Sequence, residues 1–123
     1  MSVWGHDKKY FDTWSFVHFL NGFLLGNLFY WIGLSPTMAL GASVVAMILW
    51  EMFEAIINIL ESVTNVLIDI LAGILGFIVS ALIFYHFEVP FSPLVFFILL
   101  VFSLILTIWG FLDFIHRPPT SKP

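Results

Sequence analysis

The chain has 123 residues, of which 61% are hydrophobic and only 10% are charged. A soluble domain carries roughly 25% charged residues, so this composition excludes a water-exposed globular surface and indicates a protein embedded in lipid. With only four Lys and Arg residues and no cysteine, we expect no nucleic-acid partner, no disulfide and no thiolate metal site or nucleophile. The sequence therefore predicts one all-α, integral membrane domain over residues 1–123.

Four apolar segments follow one another, each near the roughly 20 residues that a helix needs to cross a hydrocarbon core about 30 Å thick. They are separated by breaks at 33–36, 61–65 and 88–93, of which the first and last contain proline. The first segment lacks a small-residue cleavage site, so we expect it to be retained as a helix. The sequence predicts a bundle of four transmembrane helices with short loops, at residues 12–34, 37–60, 66–87 and 94–114.

The basic residues indicate how these helices are oriented. All four of them lie in the terminal segments, at Lys8, Lys9, Arg117 and Lys122. The positive-inside rule then places both termini in the cytoplasm, which requires an even number of spans and agrees with four. We expect a multi-pass protein of the plasma (inner) membrane, in which the hairpin turn predicted at 61–65 also faces the cytoplasm.

Acidic residues inside the second segment are the most unusual feature of the sequence. Spacings of 3, 4 and 3 residues confine four polar side chains to one narrow helix face, namely Glu51, Glu54, Asn58 and Glu61. A charged side chain at the membrane centre costs about 2.5–3.5 kcal/mol on insertion scales. No Lys or Arg lies between residues 10 and 116, so the acids need protons, mutual hydrogen bonds, a bound cation or a basic partner chain.

A second polar face is predicted on the third segment. Asn65, Asp69, Gly76 and Ser80 share this face, with Gly73 at its margin. If the turn at 61–65 is a tight hairpin, the two polar faces look at each other near the cytoplasmic end of the bundle.

The first segment is predicted to complete the cluster. His18 and Asn21 are one helical turn apart, and His18 is expected at about the depth of the acids. Gly22 and Gly26 lie on the same side and form a G-x-x-x-G pattern, which is typical of close helix packing. We assign the same packing role to the glycines of the third segment, Gly73 and Gly76.

Several polar residues also have simpler interpretations. These are a solvated loop for Glu61 and Asn65, a helix cap for Asn58, an interfacial residue for His18, an outer aromatic anchor for 85–88, and a solvated helix end for Asp113 and His116. The remaining acids are Glu51, Glu54 and Asp69. Acids within the membrane are functional candidates by default.

The order of these residues resembles a known family. An early His18 is followed by Glu51-Met-Phe-Glu54 and then by Asp69-Ile-Leu-Ala-Gly73-Ile-Leu-Gly76. Over about residues 12–76 this resembles the VanZ-like small membrane proteins, which have a histidine in the first helix, a Glu-x-x-Gln or Glu-x-x-Glu pair, and an Asp with a glycine-rich continuation. The chain departs from that pattern at 62–65, where the family has a basic residue, and at Gly73, where it usually has Asn. The resemblance implies a role in the cell envelope.

The first functional hypothesis is a binding site built from His18, Glu51, Glu54 and Asp69 that opens to the cytoplasmic leaflet. Oxygen and imidazole ligands suit a divalent cation such as Mg²⁺, Mn²⁺ or Zn²⁺, and the alternative ligand is a polar lipid-linked headgroup. If the site is catalytic, the sequence predicts Glu54 as the general base and Asp69 as a metal ligand.

Two other hypotheses stay open at the level of sequence. In the first, the chain is a non-catalytic accessory or structural subunit of a larger membrane complex. Basic residues of a partner subunit then pair with the acids, and the 15 Phe and 5 Trp of this chain pack on the partner. Alternatively, a homo-oligomer carries out proton- or cation-coupled transport, because four short helices are too few for a pore and intramembrane acids suit proton relays.

Overall fold

A computed structural model describes residues 13–57 and 63–116, and its regular secondary structure in these ranges is entirely helical. The helices are α1 (Thr13–Trp31), α2 (Pro36–Ile56), α3 (Val63–Ala81), which continues into a π-helical turn (Leu82–His86), and α4 (Pro93–Ile115). The predicted all-α architecture with four helices is confirmed. Three stretches are long and apolar enough to cross a membrane, namely Pro36–Ile56, Val63–His86 and Pro93–Asp113.

A Ser-Pro pair begins both α2 and α4. Ser35 Oγ accepts a hydrogen bond from the backbone N–H of Met38 at 3.3 Å, and Ser92 Oγ accepts one from Val95 at the same distance. The proline that follows each serine is the first residue of the helix, where an N–H has no partner within the helix. Both helices therefore begin one residue before the predicted starts at 37 and 94.

A glycine turn ends α1 at Trp31, three residues before the predicted end at 34. Gly33 has a φ of 92°, a left-handed conformation that glycine adopts without strain. Its N–H donates to the carbonyl of Tyr30 at 3.0 Å, and the N–H of Leu34 donates to the carbonyl of Phe29 at 2.9 Å. This pair of bonds is the Schellman motif, which satisfies the last carbonyls of the helix.

α3 begins three residues before the predicted start at 66. Because α3 begins at Val63, Asn65 lies in the first turn of a helix and not in a loop. The rest of the predicted turn lies outside the described residues, and so do the predicted cap Asn58 and the fourth member of the acidic face, Glu61. The basic residues used to predict orientation also lie outside these ranges, at Lys8, Lys9, Arg117 and Lys122.

α1 is the central helix of the bundle, in contact with the other three and most extensively with α3. These two helices run parallel, since Ser15 contacts Asp69 at one end and Asn27 contacts Ser80 at the other. At 1.5 Å per residue the contact extends along about 18 Å of α1.

α4 runs antiparallel to α1. The rings of Trp14 and Phe111 lie 5.5 Å apart at one end, and those of Trp31 and Phe96 lie 6.0 Å apart at the other. We call the end that carries Trp14 the N-terminal end of the bundle and the end that carries Trp31 the opposite end.

Glycines bring the backbones of α1 and α3 into direct contact. A Cβ atom on Gly22 would overlap the carbonyl oxygen of Gly73, and one on Gly76 would overlap a backbone carbonyl of α1. A Cβ on Gly26 would lie only 2.7 Å from the side chain of Ser80. All four glycines that we assigned to helix packing thus lie at close helix contacts, and this proximity sets the positions of the polar side chains on α1 and α3.

Candidate cation site

Three side chains converge near the N-terminal end of the bundle. His18 comes from α1, whereas Glu51 and Glu54 come from α2, where a spacing of three residues puts them on one face. Each offers one ligand atom, and these atoms all lie within 4.8 Å of one another. Because metal–ligand bonds to such atoms are about 2.0–2.6 Å long, one cation between them would reach all three after small side-chain movements.

The three converging groups are withdrawn from the surface of the bundle. Glu54 is 3% exposed and His18 is 8% exposed, while Glu51 is half-buried. The Oε1 atom of Glu51 is buried without a hydrogen-bond partner among the described residues. An unsatisfied buried acceptor costs about 1–3 kcal/mol, and a bound cation would remove that cost.

Asp69 lies against the ring of His18. Its Oδ2 atom is 3.4 Å from Nε2 of His18, and Ser15 Oγ donates a hydrogen bond to its Oδ1 at 3.4 Å. A carboxylate beside one ring nitrogen orients the imidazole and selects its tautomer, as is typical of histidines that bind metals through the other nitrogen. The predicted ligand Asp69 is thus paired with α1, and the group of three converging ligand atoms does not include it.

The cluster combines several acids with little positive charge. Among the described residues, Glu51, Glu54 and Asp69 lie near the imidazole of His18, and no Lys or Arg occurs between residues 10 and 116. Like charges repel one another strongly in a low-dielectric setting. A cation between the two glutamates would therefore stabilise their ionised forms.

Two further polar contacts tie α1 to its neighbours away from this cluster. Asn21, predicted as a partner of His18, accepts a hydrogen bond from Ser103 Oγ on α4. Towards the opposite end, Asn27 donates to Ser80 Oγ on α3 at 3.1 Å. Both asparagines thus link helices within the bundle.

Three of the side chains in these contacts were not predicted from the sequence, namely Ser15, Asn27 and Ser103. A signal for one of them was present, because Ser15 precedes His18 by three residues and so shares its side of the helix. Asn27 and Ser103 carried no such signal, since a small polar residue in an apolar helix does not reveal which neighbour it faces.

The remaining candidates lie elsewhere in the fold. His116 directly follows α4, and its Nδ1 is 2.8 Å from the carbonyl oxygen of Leu112; Asp113 lies in the last turn of α4. At the opposite end Tyr85 donates a hydrogen bond of 2.6 Å to the carbonyl of Leu34. Tyr85 thereby fastens the end of α3 to the loop between α1 and α2.

Comparisons of the chain with profiles of known protein families, with curated proteins and with solved structures found no match.

Proposed function

We propose that this chain is a four-span protein of the plasma (inner) membrane that binds a divalent cation near the cytoplasmic leaflet, with an open coordination position for a lipid headgroup. The observation that carries the proposal is the convergence of the ligand atoms of His18, Glu51 and Glu54 within 4.8 Å. A VanZ-like role in the cell envelope would be consistent with such a site.

The proposal takes α1 as a fourth membrane span. α1 runs parallel to α3 over about 18 Å of helix, so the two helices share the same depth if α3 crosses the bilayer. Polar side chains make α1 less apolar than its neighbours, but those of Ser15, His18 and Asn27 are buried in the bundle. Helices hidden behind others can carry such polar groups within a membrane. Four spans bring both termini to one side, where the basic residues favour the cytoplasm.

The donor set suggests how the ion would be held. With Asp69 at Nε2 of His18, the ring would bind the ion through Nδ1. Glu51 and Glu54 would add carboxylate oxygens, a combination that suits Mn²⁺ or Zn²⁺ better than an oxygen-only site would. Three protein ligands leave a position for water or for an oxygen of a headgroup. In this geometry Glu54 acts as a ligand, and its role as a catalytic base stays a prediction.

Equilibrium binding of Mn²⁺ tests the proposal. The purified protein in lipid nanodiscs is titrated, and free Mn²⁺ is counted by electron paramagnetic resonance. We expect one site per chain, lost in both Glu51→Gln and Glu54→Gln because each amide keeps the shape but removes the charge. The matched control is Glu88→Gln, an exposed carboxylate at the opposite end, which should bind like the unmodified chain. Unchanged binding in Glu54→Gln would overturn the proposal.

A further inference from the structure

A cavity of about 280 Å³ lies beside the candidate cation site, between α1, α2 and α4. Over the described residues α2 and α4 each pack on α1 and have little contact with each other. The cavity is therefore a cleft whose floor is α1 and whose walls are α2 and α4. Its lining is apolar along most of its length, with Leu24 and Leu28 on the floor and Ala46 and Phe96 on the walls.

The cleft is elongated along the helices. Its floor extends from His18 to Leu28, which is about 15 Å at 1.5 Å per residue. Aromatic contacts between the surrounding helices lie near both ends. Trp50 lies 6.1 Å from Phe111 at the N-terminal end, and Trp31 packs on Phe96 at the opposite end. The space between these contacts is long and narrow, and its volume is near the lower limit of about 300 Å³ for small-molecule sites.

Polar groups occur at one end of the cleft only. His18 and Asn21 line it there, next to the converging glutamates. The side-chain oxygen of Asn21 accepts the hydrogen bond from Ser103, which leaves its Nδ2 amide as a donor for a group inside the cleft. A molecule that matches this lining has an apolar chain for the long apolar part of the cleft and an oxygen acceptor for its polar end.

We infer that this cleft binds one membrane lipid, with its hydrocarbon chain between α2 and α4 and an oxygen of its polar end at the amide of Asn21, beside His18. The inference rests on the membrane setting of the proposed function and identifies the headgroup of that proposal as part of a lipid bound from within the bilayer. The lipid oxygen then lies beside the open position of the cation.

Native mass spectrometry tests the inference on the protein extracted from its own membrane in mild detergent. We expect one lipid that remains bound after annular lipids are stripped. Ala46→Phe fills the cleft from α2 and should reduce the fraction carrying lipid at least tenfold. Val45→Phe adds the same ring to the neighbouring exposed position and should retain the lipid. If Ala46→Phe does not fold, Leu25→Phe fills the cleft from α1 and is measured in the same way.

Equal lipid retention in the cleft-filling variant and in Val45→Phe would overturn the inference, and so would the absence of any retained lipid on the unmodified chain. Mn²⁺ binding on the same samples separates this result from the proposed cation site. Loss of lipid in Ala46→Phe with Mn²⁺ binding kept supports the lipid site by itself. Absence of Mn²⁺ binding throughout, with a lipid that only Ala46→Phe displaces, contradicts the cation site and leaves the lipid site standing.

Discussion

Oδ2 of Asp69 lies 3.4 Å from Nε2 of His18, and both side chains are more than nine-tenths buried. The contact joins α3 to α1. A buried acid in this position holds the ring in one orientation. We therefore assign different roles to the three acids. Glu51 and Glu54 are ligands, and Asp69 supports His18.

These roles predict that substitution of Asp69 and of Glu54 will reduce Mn²⁺ affinity to different extents. Asp69→Asn should weaken Mn²⁺ binding roughly 10- to 100-fold, the range for removal of a carboxylate behind a metal-binding histidine, whereas Glu54→Gln should abolish it. Titrations in nanodiscs give both values. Asp113→Asn, the same change near the same end of the bundle, should have no effect. Complete loss in Asp69→Asn would instead make Asp69 a ligand, as the sequence suggested.

Cation binding should strengthen as pH rises. Carboxyl and imidazole groups bind a cation only in their deprotonated forms, so protons compete with the ion for this site. Calorimetric titrations in two buffers of different ionisation enthalpy measure the protons released on Mn²⁺ binding. Release in the unmodified chain is the expected result. Affinity that is independent of pH, with no proton released, would contradict this exchange of a proton for a cation.

The close contact of α1 with α3 predicts a large effect of a single methyl group. Gly22→Ala places a Cβ on the carbonyl oxygen of Gly73, so we expect a loss of about 1–3 kcal/mol in unfolding free energy, as for other overpacked sites. Gly41→Ala is the matched control, because a Cβ there meets nothing within 4 Å. Unfolding in mixed detergent micelles measures both variants. Equal stability of the two would show that the helices can separate at little cost.

The hydrogen bond from Asn27 to Ser80 should contribute modestly to stability. Both side chains are buried, and hydrogen bonds between membrane helices average about 0.6 kcal/mol with a maximum near 1.7 kcal/mol. A double-mutant cycle with Asn27→Ala and Ser80→Ala isolates this term. We expect a coupling energy within that range. A coupling of zero would mean that each group finds another partner when its own is removed.

Helical periodicity predicted much of the candidate site. It placed Glu51 and Glu54 on one face, and counting from the chain ends put His18 at a similar depth. The structure brings these three together because α1 and α2 are antiparallel neighbours with a short connection. The Ser-Pro pairs likewise marked the breaks before α2 and α4 to within a residue.

Periodicity could not predict which helix packs against each polar face. The sequence suggested that Asp69 looks towards α2, whereas the structure pairs it with Ser15 and His18 on α1. Periodicity gives the direction of a side chain about its own helix and carries no information on which helix lies there. In this bundle the glycines decide it, because Gly73 and Gly76 let the backbone of α1 approach α3 closely.

The cleft also could not be predicted from the sequence. Its residues are ordinary apolar side chains on three helices, and an apolar side chain has the same signal whether it faces lipid or an internal space. Ala46 lines the cleft whereas its neighbour Val45 is exposed. This difference follows from the packing of α2 and α4 on α1, which the sequence does not reveal.

Electron spin-echo envelope modulation of bound Mn²⁺ tests the coordination by His18, because it detects nitrogen nuclei bound to the ion. We predict one Mn²⁺ per chain with the coupling of a single histidine nitrogen. This coupling should vanish in His18→Gln and should be unchanged in His86→Gln. Bound Mn²⁺ without a nitrogen coupling, or a coupling that persists in His18→Gln, would contradict a site built on His18, Glu51 and Glu54.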